Sequence, residues 1–242
     1  MDAELLAKKL SDWIKAKVLE AGCKGAVLGM SGGVDSSVVA ALCIKVFPQN
    51  TLGLIMPCHS NEKDKQDAEV VAKKLSIPTN TVCLDDIFDA YLKILPDFNP
   101  EASLKQLAQA NLKARLRMIT LYYTANQLKY LVIGSGNRSE LTVGYFTKHG
   151  DAGVDILPLG NLVKKEVREL ARFLKIPQQI IDKAPSAGLW AGQTDEGEMG
   201  FTYEALDDYI LTGKAPEELK KQIEVMHAAS AHKCTTPPIP PF

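Results

Sequence analysis

The sequence predicts an α/β protein, a single domain built on an open, mostly parallel sheet with helices on both faces. Three observations carry that expectation. Short apolar runs of strand length recur along the chain, segments of helical periodicity separate them, and a glycine-rich turn follows the first run directly. Leu6, Leu10, Trp13, Ile14 and Val18 share one helical face, which predicts an amphipathic helix over residues 3–21. Gly25 to Met30 then suits a buried parallel strand, because such strands are apolar throughout rather than alternating. Val38, Val39, Leu42, Cys43 and Val46 return to helical spacing, and Thr51 to Met56 forms a second apolar run. Ala68, Val71, Ala72 and Leu75 mark another helix, which Ile77-Pro78 ends. Thr79 to Leu84 gives a weaker third strand. A long helical segment at 102–127 leads into Tyr130 to Ile133, a further strand. Val167, Leu170, Ala171 and Leu174 repeat with helical spacing ahead of Pro177, and late helices are expected over 202–212 and 216–229. Gly150 to Val154 and Gly188 to Gly200 are expected as mobile loops, and residues 235–242 as a stiff, proline-rich tail.

Composition narrows the function classes. A chain of 242 residues buries roughly 70–75% of its unfolded surface, so its core needs no metal or disulfide. Lys and Arg total 28 against 29 Asp and Glu, a formal charge of −1. Such a balance offers no electrostatic footprint for nucleic acid or an anionic membrane, and neither is expected as a partner. The longest apolar run, Val38 to Ile44, is too short to span a bilayer, and the segment MDAELLAKKL lacks a signal-peptide hydrophobic region. Five cysteines without a C-x-x-C pair argue against a disulfide framework and for a cytoplasmic location. His59 and His227 match no metal spacing and are expected to be solvated; Cys58 is expected to be structural.

The chemistry concentrates in Gly29-Met30-Ser31-Gly32-Gly33-Val34-Asp35-Ser36-Ser37, between the first strand and the next helix. In open parallel sheets, ligands bind beyond the carboxyl ends of strands. Gly32 and Gly33 let the backbone approach a ligand closely and adopt positive φ. The following helix start aims unpaired N–H groups and its positive dipole end at the same spot, and Ser31, Ser36 and Ser37 add hydroxyls. All of this suits phosphate oxygens. Asp35 does not, unless a cation such as Mg²⁺ stands between its carboxylate and the phosphates. An ordinary strand-to-helix turn with Asp35 at the helix start fits the same residues more blandly. There is no Walker A lysine, and Gly134-Ser135-Gly136 lacks the last glycine of a dinucleotide fingerprint, Ser139 taking its place. Gly29 to Gly33 also satisfies the G-x-S-x-G elbow of α/β hydrolases, with His149, His227 and His232 downstream. That elbow normally comes deep in the sheet, and it leaves Asp35-Ser36 without a task.

Ser31-Gly32-Gly33-Val34-Asp35-Ser36 resembles the signature of the PP-loop ATP pyrophosphatases, enzymes of Rossmann-like fold that cleave ATP between its α and β phosphates and adenylate a substrate. Further blocks resemble the ammonia-dependent NAD⁺ synthetases in particular. They are Asn111-Leu112-Lys113-Ala114-Arg115-Leu116-Arg117-Met118, Gly134 to Glu140, Gly144 to Asp151, Leu157-Pro158-Leu159, Lys164, Ala184-Pro185-Ser186-Ala187 and His232-Lys233. Together they span residues 25–235 in order. The resemblance implies Mg-ATP-dependent amidation of the nicotinate carboxylate of deamido-NAD⁺ by ammonia, a ligase reaction releasing AMP and pyrophosphate. By the same resemblance Gly29, Met30, Ser31, Gly32, Gly33, Val34, Asp35 and Ser36 hold ATP, with Ser135, Lys164 and Ser186. Asp35 and Glu140 bind Mg²⁺, while Arg115, Lys148, Asp155, His232 and Lys233 hold deamido-NAD⁺. Ser135 and Ser186 replace the family's usual threonines and keep the hydroxyl; Ala152 and His149 replace a common glycine and tyrosine. The family's members are homodimers whose deamido-NAD⁺ pocket is shared between subunits.

This chemistry has a clear physical bottleneck. A carboxylate repels nucleophiles, and adenylation turns it into an acyl group with AMP as leaving group. Pyrophosphate must depart, and Mg²⁺ with Lys164 neutralises its charge. Ammonium must lose a proton, and Asp151 is the expected acceptor, which makes Asp35, Lys164 and Asp151 the catalytic set. The chain length leaves no space for an amidotransferase domain, so ammonia is expected from solution or from a separate glutaminase. Another PP-loop adenylating amidase and a non-catalytic ATP-binding module remain alternatives, although a pure binder has no need of Asp35, Glu140 and Lys164 together.

Overall fold

The computed structural model describes residues 2–190 and 192–242; Met1, and Ala191 within the loop expected at Gly188 to Gly200, lie outside the described residues. Four parallel strands, β1 (Gly25–Gly29), β2 (Thr51–Ile55), β3 (Thr79–Thr81) and β4 (Tyr130–Val132), form one sheet in the order β3-β2-β1-β4. Ile133 adds one parallel bridge to Ile156 beyond β4. The expected class is therefore observed. The helices are α1 (Ala3–Glu20), α2 (Val34–Val46), α3 (Glu62–Leu75), α4 (Asp85–Ile94), α5 (Ala102–Leu128), α6 (Arg138–Val143), α7 (Lys164–Phe173), α8 (Gln178–Ile181), α9 (Asp195–Met199), α10 (Tyr203–Thr212) and α11 (Glu217–Ser230).

The apolar pattern explains the layering. Successive strand side chains point to opposite faces, so Ala26 and Leu28 of β1 join one core with Ile14 and Val18 of α1, Val38 and Leu42 of α2, and Leu170 of α7. Val27 faces the other core, with Leu54, Val132, Phe88 of α4 and Leu121 of α5. Nine residues of α2 are buried, which is why its sequence is apolar nearly all round. A third cluster, Val143, Met199, Phe201, Tyr203, Leu206 and Ile223, binds α6, α9, α10 and α11 together.

Three elements differ from the sequence reading. The third strand ends at Thr81 instead of Leu84, and α4 starts immediately after; Val82 N–H still donates to Ile55 O at 2.9 Å and Leu84 N–H to Pro57 O at 2.8 Å, so pairing outlasts regular strand geometry. Ile87, Phe88, Tyr91, Leu92 and Leu95 repeat at helical spacing there, so α4 is legible in the sequence although it is absent from the expected elements; of its residues Phe88 is buried. The segment expected as a mobile loop at Gly188 to Gly200 contains α9, which Thr194 caps by accepting from Gly197 N–H at 3.2 Å. Its five residues are too few to display a period.

The strand order fixes where a ligand can sit. From β1 the chain moves outward through β2 and β3, then α5 returns it to β4 on the other side of β1. The loops after β1 and β4 thus diverge at the topological switch point, where open α/β sheets hold ligands.

Candidate active site

The turn after β1 is organised by its own hydroxyls. Ser31 Oγ lies 3.0 Å from Ser36 Oγ and accepts from Gly33 N–H at 3.2 Å, while Ser37 Oγ donates to Gly33 O at 2.7 Å. Gly32 has φ of +76°, and a Cβ there would collide with the Asp64 carbonyl and stand 2.9 Å from Asp67 Cβ. Only glycine serves at this position. Gly33 is the N-cap of α2 and makes no side-chain cap hydrogen bond, so the first amides of α2 remain available to an anion.

Beside this turn stands a buried charge cluster. Lys164, in the first turn of α7, is 2% exposed, and its Nζ lies 2.5 Å from Asp35 Oδ2 and 3.4 Å from Glu140 Oε1. Asn137, the N-cap of α6, donates from Nδ2 to Asp35 Oδ1 at 2.9 Å, and its N–H donates to Glu140 Oε2 at 3.1 Å. The N-x-x-E capping box of α6 therefore aims Glu140 at the turn after β1. Tyr203 lies against the group, with Lys164 Nζ 4.8 Å above its ring and its hydroxyl donating to Asp195 Oδ2 at 2.9 Å.

Burial raises the Glu140 pKa to about 8; Lys164 opposes that rise and the nearby Asp35 carboxylate adds to it. Burial works to lower the Lys164 pKa, but Asp35 and Glu140 overcome it and hold the amine protonated. Burial also raises Asp195, whose Oδ1 has no hydrogen-bond partner. Carboxylates thus outnumber the one ammonium at this spot. Two hard carboxylate oxygens facing an anion-binding turn fit a magnesium ion that draws its other ligands from phosphates and water. No cluster of three or more His, Cys, Asp or Glu side chains able to hold a metal occurs among the described residues.

A cavity of about 580 Å³ joins these features. It is lined by Gly29, Met30, Ser31, Gly33, Val34, Asp35 and Ser36, by Ser135 and Glu140, by Lys164 and Ser186, and by Asp151 and Lys233. Gly32 belongs to the same turn without lining the cavity, as do Arg115, Lys148, Asp155 and His232 elsewhere. Those four are nonetheless engaged. Arg115 Nη2 donates to Lys148 O at 3.3 Å, and Lys148 Nζ donates to His232 O at 2.6 Å. Asp155 accepts from Tyr122 Oη at 3.0 Å and from Val132 N–H at 2.8 Å, so both its oxygens hold the fold. Lys233 Nζ donates to Gly144 O and Phe146 O. Asp151 accepts from Thr147 N–H at 2.8 Å; surrounding protein raises its pKa, although the side chain is reached from the cavity.

The opposite wall comes from Ala184 to Leu189 and Gln193. Ser186 Oγ donates to Gln193 O at 2.8 Å, and Lys113 Nζ of α5 donates to Leu189 O at 2.8 Å. Arg117, one turn further, donates to Met56 O at 3.0 Å and Ser60 Oγ at 3.1 Å. Lys113, Asn137, Asp195 and Tyr203 were not singled out as functional by the sequence reading. The capping-box spacing Asn137 to Glu140 could have revealed Asn137; Asp195 and Tyr203 leave no local signal. His59 and His227 are exposed as expected, each with a partner, Asp89 and the Thr142 carbonyl, at 2.8 Å.

The chain is similar to known proteins along nearly its whole length. The family model for NAD synthase matches residues 6–237. An NH(3)-dependent NAD(+) synthetase of Carboxydothermus hydrogenoformans is 53% identical over 233 residues, 96% of either chain. The structure of an NMN synthetase from Francisella tularensis superposes with a TM-score of 0.93 at 37% identity, covering 100% of both chains. An NH3-dependent NAD synthetase from Campylobacter jejuni, solved with a nitrate ion, gives 0.80 at 30% identity over 99% of both chains.

Proposed function

The chain belongs to the NAD synthase family, and from that premise we propose that it amidates the nicotinate carboxylate of deamido-NAD⁺ with ammonia, consuming ATP and releasing AMP and pyrophosphate. The observation that carries this reading is Lys164, buried between Asp35 and Glu140 at the mouth of the glycine turn. A buried ammonium fixed beside an anion-binding turn is placed to meet charge that develops on a departing phosphate group.

The turn from Gly29 to Ser36 holds the ATP phosphates through backbone and hydroxyl donors, with Ser135 and Ser186 on either side. Asp35 and Glu140 hold Mg²⁺, which supplies charge neutralisation at the phosphates. The nicotinate carboxylate attacks the α-phosphorus, the α–β bridging bond breaks, and Lys164 meets the charge that develops on the leaving pyrophosphate. Ammonia then attacks the acyl carbon and AMP leaves. Asp151 takes the proton that ammonium must lose. Positioning carries much of the rate, since no covalent enzyme intermediate is required. Arg115, Lys148, Asp155, His232 and Lys233 form the dinucleotide site.

That site is completed by a second copy of the chain. Ile94, Leu95, Phe98, Leu104, Leu107, Ile119 and Tyr123 are exposed along the end of α4, the segment after it and α5, an apolar stretch suited to a homodimer interface. Residues 1–242 act as one catalytic unit with the tail at 235–242, in the cytoplasm, on ammonia from solution or from a separate glutaminase. No helix among the described residues is long and apolar enough to cross a membrane.

A second reading is favoured by the 0.93 TM-score to the Francisella NMN synthetase: the same carboxylate presented on nicotinate mononucleotide. The 53% identity to a named NAD(+) synthetase favours the dinucleotide. Measuring kcat/KM for both acids with ATP and ammonium decides between them. Preference for deamido-NAD⁺ is expected; preference for the mononucleotide moves the assignment to the second reading. ATP binding with no Mg²⁺-dependent turnover on either acid would reduce the chain to a binding module.

A further inference from the structure

Helix α7 begins at Lys164 without a side-chain cap of its own, because its N-cap is Val163. The first amides of a helix need acceptors, and a negative charge there is favourable. Here they come from a distant helix. Lys164 N–H donates to Ser139 Oγ at 3.0 Å, Ser139 Oγ donates to Asp207 Oδ1 at 2.5 Å, and Lys165 N–H donates to Asp207 Oδ2 at 2.7 Å. Asp207 of α10 therefore does the work of an N-cap for α7, once directly and once through Ser139. Four residues before it on the same face, Tyr203 lies under the Lys164 amine at 4.8 Å, donates to Asp195 Oδ2 at 2.9 Å and reaches Glu140 Oε1 at 3.5 Å. Ser139, Lys164, Tyr203 and Asp207 are at most 2% exposed.

Nothing in the proposed chemistry uses Tyr203 or Asp207, yet one fixes the root of the Lys164 side chain and the other its tip. A lysine has a flexible four-carbon stem and a point charge, so it meets a developing charge only where its surroundings hold it. We propose that Tyr203 and Asp207 are positioning residues, by which α10 sets the Lys164 amine for the leaving pyrophosphate. The inference rests on the role given to Lys164 above.

The test uses the full chain and inorganic pyrophosphate with Mg²⁺ as probe, measured as product inhibition alongside kcat and the KM for deamido-NAD⁺. Lys164→Met is the reference and should weaken pyrophosphate inhibition by about a hundredfold. Tyr203→Leu, which removes the ring beneath the amine, Asp207→Asn and Ser139→Ala should each lower kcat and weaken that inhibition by about tenfold, the effect of one contact to a charged group. The KM for deamido-NAD⁺ should stay within about twofold of wild type, since uniform substrate binding is untouched. Ser139→Ala removes one hydroxyl and keeps the test open if Asp207→Asn does not fold. Folded variants that bind pyrophosphate as wild type does would overturn the inference while leaving Lys164 in place. Wild-type inhibition in Lys164→Met would instead remove the reading beneath it.

Discussion

The two walls of the cavity arise in different ways. The wall made by Gly29 to Ser36 and Gly134 to Glu140 follows from rules that act within a few residues: a strand end, a positive-φ glycine, a helix start and a capping box. The wall made by Ala184 to Leu189 and Gln193 follows from contacts across the chain, with Lys113 holding Leu189 from 76 positions away and Lys183 reaching Asp64 from 119. Local rules leave a signature that sequence pattern exposes; tertiary ones do not. The first wall can stand ready before any ligand arrives, whereas the second depends on a few long side chains that a substitution can release.

The largest effect should come from the first wall. Asp35→Ala is expected to lower kcat by at least about a hundredfold, because the carboxylate pairs with Lys164 and, in the proposed reaction, would hold the metal; steady-state turnover near wild type would remove Asp35 from the chemistry. On the second wall, Lys113→Met keeps much of the side-chain volume and deletes the bond to Leu189 O together with the amine's position over the Phe88 ring. It should raise the KM for ATP by about tenfold with a smaller change in kcat. If it matched Asp35→Ala, the contrast between the walls would fail. Lys148→Ala lies beyond both and should raise the KM for deamido-NAD⁺ about tenfold and that for ATP little; equal effects on the two would contradict its assignment.

The smallest effect concerns stability. Glu140 has its pKa raised to about 8 from an ordinary 4.5. Between those values the folded chain holds a proton that the unfolded chain releases, so this group's contribution to stability falls as pH rises through the window. Urea midpoints of wild type, compared with Glu140→Gln at pH 5, 6.5 and 8, should therefore show the wild type losing ground toward pH 8. A gap that does not change with pH would mean that Glu140 is already ionised at pH 5.

The same contrast explains what the sequence made legible. Strands β1, β2 and β4 are short and apolar on both faces, and α2 and α7 display full periods, so each emerges from pattern alone. Asp35, Glu140 and Lys164 were found through family motifs, and the fold brings all three within one hydrogen-bonded group. Asp195 and Tyr203 stayed hidden because their task depends on how α9 and α10 dock, through the cluster around Met199 and Leu206. Arg115, Lys148 and His232 are tied to one another outside the cavity. The roles proposed for them rest on a substrate and a second subunit, which periodicity cannot report.

The most direct measurement follows the phosphorus nuclei during one reaction of the protein with ATP, Mg²⁺, ammonium and deamido-NAD⁺. Equimolar AMP, pyrophosphate and NAD⁺, formed only when deamido-NAD⁺ is present, is the predicted result. ADP and orthophosphate in their place would mean that the bond broken is not the one the glycine turn and Lys164 are arranged to break.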